Sequence, residues 1–270
     1  MRAKKITLQN NQVEIQYIEK GQGEISLLFI HGWCIDKSYW SHQIDYFSKQ
    51  YHVYALDLPG FGGSKAEREE WSIEAYSEDI KAFIHELKMK NIVVIGHSMA
   101  GEIMLQTALS NNPNIIGIVG IDNFKLIDVV FPKEQLEQFD EFFEMLKKDF
   151  KNTAPQYADM ALFSPTTTQE VKDRVKRDFS ESDSHVGYET CMKQMEFLMH
   201  DAPKLEKLNY KLHLIHSDAT PTNIEGLNDH CKENFNIEVI PATGHYPMIE
   251  KPEAFNMILE KILLEITTNK

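Results

Sequence analysis

The run Val93-Val94-Ile95-Gly96-His97-Ser98-Met99-Ala100-Gly101 carries the clearest chemistry in this chain. Apolar, β-branched residues lead into a glycine-flanked serine, and Glu102 to Leu109 reads as a helix. A serine on a sharp turn between a buried strand and a helix has a strained backbone and an Oγ projected above the sheet edge. The N–H of the next residue, Met99, then lies at a helix N-terminus, where negative charge is favoured. A serine hydroxyl is a useful nucleophile only when a base takes its proton. That base is normally a histidine, oriented by a carboxylate. His245 stands in Ala242-Thr243-Gly244-His245-Tyr246-Pro247, between the last strand-like run and the last helix-like one. Asp122, in Gly120-Ile121-Asp122-Asn123, ends an apolar run. Asp218 lies in Ile215-His216-Ser217-Asp218-Ala219-Thr220-Pro221. Both aspartates keep the order serine, acid, histidine. Asp122 is the preferred acid and Asp218 the runner-up, and an aspartate at either place can instead be a simple cap.

These residues need elements to hold them. Lys5 to Gln9 and Val13 to Ile18 alternate as half-buried antiparallel strands do, with Asn10-Asn11 as the turn. Ile25 to Ile30 is a continuous apolar run, as in a central strand covered on both faces. Ser38 to Gln50 reads as a helix. Val53 to Leu58 is a strand ended by the loop Pro59-Gly60-Phe61-Gly62-Gly63-Ser64. Ser72 to Lys88 is an amphipathic helix with Ser72 as N-cap and Ile80, Phe83, Ile84 and Leu87 on one stripe. Ile92 to Ile95 and Ile115 to Ile121 are further strands. Strands alternating with helices imply a parallel sheet with right-handed crossovers.

From about Asn123 to Leu208 the rhythm breaks into helical patterns such as Glu134 to Phe150, with Phe139, Phe142, Phe143, Leu146 and Phe150 on one side. It resumes with a strand at Leu212 to Ile215, a helix from Asn223 to Phe235, a strand at Ile237 to Ile240 and a helix from Pro252 to Ile266. The expected organisation is a core made of residues 1–122 and 209–270, interrupted by a helical cap over 123–208. The insertion leaves the C-terminal end of a strand, where open α/β sheets bind ligands. Its Phe139, Phe142, Phe143, Met145, Phe163, Met192, Met195, Phe197 and Met199 read mainly as core, with a few lining an apolar acyl pocket. The charged stretch from Val171 to Arg177 reads as a solvated face.

Composition narrows the function classes. A chain of 270 residues suits one α/β domain with an insertion, and 42% apolar residues can fill a substantial core. No stretch approaches the roughly 20 apolar residues of a membrane span. Met1-Arg2-Ala3-Lys4-Lys5 leads into strand-like sequence without an apolar signal region, so a soluble, cytoplasmic protein is expected. A net charge of −13 argues against nucleic acid as a partner. Cys34, Cys191 and Cys231 are far apart and fit reduced thiols. Eleven scattered histidines without metal-ligand spacing make a metal site unexpected.

Four motifs together resemble the α/β-hydrolase superfamily, in particular its small esterase-like members. They are His31-Gly32-Trp33, Asp57-Leu58-Pro59-Gly60-Phe61-Gly62, Gly96-His97-Ser98-Met99, and Gly244-His245-Tyr246-Pro247 with Glu250-Lys251-Pro252 behind it. The resemblance covers about residues 5 to 268 apart from the cap. It implies an α/β-hydrolase fold with a mostly parallel eight-stranded sheet. It implies Ser98 as nucleophile, His245 as base, and an oxyanion hole made by the backbone N–H groups of Trp33 and Met99. His31 and Gly32 would be structural, Asp57 would hold its loop, and the His97 and Met99 side chains could either pack or line a pocket. The chain departs from the family pattern twice. Ala100 stands where G-x-S-x-G has its second glycine, and Gly101 follows. Thr220 stands where a G-x-x-D-P acid is usual. Some lipases and dehalogenases of the superfamily carry their acid at the position of Asp122.

The expected activity is hydrolysis of small carboxylic esters through an acyl-enzyme, with no cofactor, by a monomer or homodimer. The same triad serves hydrolysis of a lactone or of a carbon–carbon bond in a diketone. A non-catalytic ligand receptor on the same scaffold is the alternative from another class. Epoxide hydrolase and haloalkane dehalogenase are disfavoured, because the resembling members carry a carboxylate at the elbow.

Overall fold

The computed structural model describes residues 2–8, 13–200, 202–232 and 234–268, without the side chains of 197–200. The expected turn at Asn10-Asn11 and the side chains of Phe197 and Met199 lie outside the described residues. The described strands form one sheet. They are β1 (Lys4–Leu8), β2 (Val13–Lys20), β3 (Ser26–Ile30), β4 (His52–Leu56), β5 (Lys65–Ala66), β6 (Ile92–His97), β7 (Ile115–Ile121), β8 (Leu212–Ser217) and β9 (Phe235–Ile240). Eight of them lie in the order β1-β2-β4-β3-β6-β7-β8-β9, and the two-residue β5 pairs with β2. The ladders from β4 through β9 are parallel, while β1, β2 and β5 pair antiparallel. The mostly parallel sheet is as expected, and the short β5 is an addition at its edge.

Every residue of β3, β6 and β8 is buried. Such strands read as unbroken apolar runs because helices cover both faces of a parallel sheet. Here α1 (Ser41–Phe47) packs on α10 (Pro252–Thr268), and α2 (Ile73–Glu86) packs on α3 (Ala100–Ala108). The expected helix from Ser38 is a 3-10 turn, Lys37–Trp40, running into α1. Ser72 caps α2 as expected, its hydroxyl accepting from Ala75 N–H at 3.2 Å, and Ile80, Phe83 and Ile84 are buried.

Between β7 and β8 the chain adds α4 (Lys133–Lys148), α5 (Phe150–Ala161), α6 (Gln169–Glu181), α7 (Ser184–His200) and a 3-10 turn, Ala202–Lys207. The expected single helix to Phe150 breaks at Asp149, whose φ of −146° is not helical. Its phenylalanines do not form one buried stripe. Leu146 is the buried residue of α4, Phe150 is buried as the first residue of α5, and Met145 is 51% exposed. Helix α8 (Ile224–Cys231) follows β8, and the four-residue α9 (Pro247–Glu250) precedes α10. Among the described residues no helix is long and apolar enough to cross a membrane.

His230, in the last turn of α8, joins the two stems of this insertion. Its Nε2 lies 2.6 Å from Asp128, on the outgoing stem, and its Nδ1 lies 3.0 Å from Glu206, on the returning one. Both ring nitrogens can donate only in the imidazolium. Partial burial works against that charge, but the two carboxylates prevail and raise the pKa. A raised pKa in the folded state adds stability that is complete below the unfolded value of about 6.5 and is lost as pH rises through the folded value. We therefore expect His230→Gln to lower Tm by about 1–3 °C at pH 6, in keeping with half-exposed carboxylates. At pH 9 the difference should vanish. Equal losses at both pH values, read by differential scanning calorimetry, would contradict the charge assignment.

Candidate active site

Ser98 leaves β6 with φ +54°, a left-handed conformation that costs a non-glycine residue about 1–2 kcal/mol. Two bonds hold it there. Ser98 N–H donates to Ile121 O at 2.9 Å, and Ser98 O accepts from Gly101 N–H at 2.8 Å. Cys34, Asp122, Phe124 and Ala242 also have φ near +50°. With Ser98 they sit just beyond β3, β6, β7 and β9, at the C-terminal edge of the sheet. Among the described residues, five further non-glycine residues with positive φ (Lys88, Asn91, Asn111, Asp128 and Lys232) lie in other turns, so the strain at this edge supports a functional site only together with the side chains it positions.

The displaced glycine of the elbow now has a reason. A Cβ on Gly96 would meet Ala100 O at 2.3 Å, so the first glycine is required where α3 turns over the strand. Position 100 tolerates alanine, which is fully buried. A Cβ on Gly101 would meet Asn123 Nδ2 at 2.2 Å. That amide is fixed, donating to Gly96 O at 2.9 Å. The second glycine therefore makes room for Asn123, which comes from the loop that carries Asp122.

The structure brings His245 and Asp122 together. His245 Nδ1 is 2.7 Å from Asp122 Oδ2. A carboxylate can only accept, so Nδ1 carries the proton and Nε2 is left for another partner. Asp122 is 6% exposed. Its Oδ1 accepts from Ser217 N–H at 2.7 Å and lies 2.6 Å from Lys125 Nζ. Burial alone would push this carboxyl up. The hydrogen bond and charge of His245, and then Lys125, outweigh it and hold the carboxyl well below the usual carboxylate range. Asp218 is not brought to the imidazole. Its carboxylate accepts from the N–H groups of Ala242 at 2.9 Å and Thr243 at 3.4 Å, and so shapes the loop that bears His245.

His97 joins that loop to the elbow. Its Nε2–H donates to His245 O at 2.8 Å, and the two rings lie 4.7 Å apart. Burial, then the neighbouring His245, pushes the His97 pKa down to about 3, so this ring is neutral. Ser98 Oγ has no hydrogen-bond partner among the described residues, as is common before substrate arrives. Met99 is fully buried. The backbone N–H groups of Trp33 and Met99 make no hydrogen bond among the described residues. A Cβ on Gly32 would lie 3.0 Å from Ser98 Cβ, so the loop carrying Trp33 passes against the serine.

The supporting loops are as expected. His31 Nδ1–H donates to Gly32 O at 2.7 Å, and its Nε2 accepts from Leu58 N–H at 2.9 Å. Asp57, fully buried, accepts from Lys37 N–H, Lys37 Nζ and Gly63 N–H. The inserted helices reach the same edge. Trp33 Nε1–H donates to Gly187 O in α7 at 2.8 Å, and its ring meets Phe150, Tyr157 and Phe179 edge-on. His245 N–H donates to Leu162 O at 2.8 Å. The stretch from Val171 to Arg177 is not wholly solvated. Val175 is fully buried, and Arg174 bonds Ser38 Oγ and covers the Tyr39 ring.

Three contributors were given no role from the sequence: Lys125, and Asn123 and Glu250, which stand only within the quoted motifs. Glu250 accepts from Gly244 N–H, Tyr246 N–H and Thr167 Oγ1, and so holds both flanks of His245. The signal available was spacing: Lys125 three residues beyond a strand-end aspartate, Glu250 five beyond the histidine.

Alanine for glycine inside a helix ordinarily stabilises by about 0.5–1 kcal/mol. At Gly101 the sign should reverse, because Asn123 cannot yield without losing its bond to Gly96 O. Gly101→Ala should lower Tm, and adding Asn123→Ala should recover part of the loss. A stabilised single variant in thermal melts would contradict this packing.

Comparison with known proteins agrees with the fold. The family model of the alpha/beta hydrolase fold matches residues 25–194. Over 124 residues the chain is 34% identical to (E)-2-((N-methylformamido)methylene)succinate hydrolase of Acinetobacter baylyi, a match covering 46% of each chain and so about half of that relative's length. It is 22% identical to a pimeloyl-(acyl-carrier protein) methyl ester esterase of Wigglesworthia glossinidia brevipalpis, over 89% of this chain and 94% of that one. In structure it resembles a thermophilic esterase from Thermogutta terrifontis, with a TM-score of 0.81, 20% identity, and 98% and 99% of the two chains covered. With its parallel sheet, its strained serine after β6 and a family match over most of its length, this chain belongs to the α/β hydrolase fold family.

Proposed function

We propose that the protein is a serine hydrolase of small carboxylic esters, working through an acyl-enzyme with Ser98, His245 and Asp122. The observation that carries this reading is the 2.7 Å contact between His245 Nδ1 and the buried Asp122 carboxylate, at the sheet edge that bears the strained Ser98. Ser98 Oγ attacks the ester carbonyl while His245 Nε2 takes its proton. The imidazolium that forms is stabilised by Asp122, which stays ionised. The carbonyl oxygen, now an oxyanion, accepts from the backbone N–H groups of Trp33 and Met99, each worth about 3–4 kcal/mol in such a site. The tetrahedral intermediate collapses, and the alcohol leaves with the proton from His245. Water then attacks the acyl-enzyme by the same steps in reverse, freeing the acid and Ser98.

In this reading residues 123–208 act as a cap. The Trp33 backbone serves the oxyanion while its indole is tied to the inserted helices, so the cap and the hole share one residue. The methyl ester esterase similarity, which extends over nearly the whole chain, supports ester chemistry.

Hydrolysis of short-chain p-nitrophenyl esters tests the assignment. Ser98→Ala should abolish turnover and labelling by a fluorophosphonate. Asp122→Asn should cost about 10⁴-fold in kcat, as expected for a triad acid. Asp218→Asn should cost less than about tenfold, because its carboxylate serves backbone N–H groups only. The reverse ranking of the two aspartates would move the acid to Asp218. Turnover of a lactone or diketone with inert esters would keep the triad and change the substrate class. A ligand that raises Tm without being turned over would favour a receptor.

A further inference from the structure

The reaction above leaves the buried charge of Lys125 without a task. Lys125 is 6% exposed. An ammonium has three donors, and this one has three acceptors: Asp122 Oδ1 at 2.6 Å, Ser217 O at 3.0 Å and Ser217 Oγ at 2.9 Å. Removing an ammonium from water is costly unless it is paired and its donors are satisfied, so this niche is a built one. It also divides the carboxylate. Oδ1 receives Lys125 and Ser217 N–H, and Oδ2 faces His245.

We infer that Lys125 is a positioning residue for the Asp122–His245 pair: it pins the carboxylate so that Oδ2 alone meets the imidazole, and its charge offsets that of Asp122. The inference rests on the proposed hydrolytic site. A lone carboxylate beside a histidine favours the imidazolium, which is useless as a base. A cation on the far oxygen, as Lys125 is on Oδ1, opposes that effect. Other groups near the pair do not supply this counterweight. Burial pushes the pKa of His97 down to about 3 and that of His216, beside Asp122, down to about 4, so both are neutral. Burial likewise pushes the Tyr246 phenol, whose ring lies 5.3 Å from that of His245, well above its usual range. Glu250 and Asp218 bind backbone N–H groups of the histidine loop rather than its ring.

The test uses Lys125→Met in the full chain, with Lys125→Gln as the second variant should the first not fold. Two readouts separate this inference from the function it rests on. The first is the low-field proton NMR resonance of His245 Nδ1–H, followed against pH, which needs no turnover. The second is the pH profile of kcat/KM for a p-nitrophenyl ester. We expect the midpoint of the NMR titration to move to higher pH. We expect the ratio of kcat/KM at pH 8.5 to that at pH 6 to rise at least about fivefold, the direction set by loss of a nearby cation. An unmoved midpoint, or a loss of activity by one factor at every pH, would overturn the inference and leave Lys125 a structural residue. A moved midpoint in a protein that hydrolyses no ester would sustain the inference about the pair and sink the ester hydrolase reading.

Discussion

One buried carboxylate holds the edge of this sheet together. Asp122 directly follows β7, accepts from β8 through Ser217 N–H, bonds the loop after β9 through His245, and pairs with Lys125 beyond it. A charge buried to this degree is tolerated only when each lone pair finds a donor. Losing one partner of such a pair typically costs about 3–5 kcal/mol, because the other is left uncompensated. The cost of burial is therefore also the source of precision: three segments must arrive in register for Asp122 to be stable at all. The backbone follows the same logic. Asp122 N–H bonds Ile215 O, and Ser98 N–H bonds Ile121 O, so the two strained residues extend adjoining ladders of the sheet.

The inserted helices are coupled to this edge rather than resting over it. Trp33 bonds α7 through its indole, His245 N–H bonds the loop after α5, and Glu250 joins that loop to both flanks of the histidine. Any shift of α5 to α7 is thus felt at the backbone of the candidate oxyanion hole and at the candidate base. His230 adds a clamp where the insertion leaves and rejoins the core.

Much of this was legible from residue order. The apolar runs at Ile25 to Ile30 and Ile115 to Ile121 locate central strands because a strand covered on both faces admits few polar residues. Ser72 marks the start of α2 because a hydroxyl there satisfies an orphan N–H. The inserted region was less legible. Its helices are amphipathic with partly exposed faces, so their phenylalanines follow a helical period without forming one buried stripe, and the expected helix breaks at Asp149, which starts the next helix without a side-chain cap bond.

The site divides in the same way. Residue types and their spacing sufficed to single out Ser98, His245 and the preference for Asp122 as candidates, because a strained strand-to-helix turn and a glycine-led histidine loop are local backbone demands. Which aspartate meets the imidazole is a matter of distance between strands that lie far apart in the chain, and the tertiary structure places Asp122 there and Asp218 on the backbone of the loop. The same holds for Lys125. In sequence it is one lysine among many. Only the fold brings Ser217, 92 residues later, to its ammonium and takes the charge out of water.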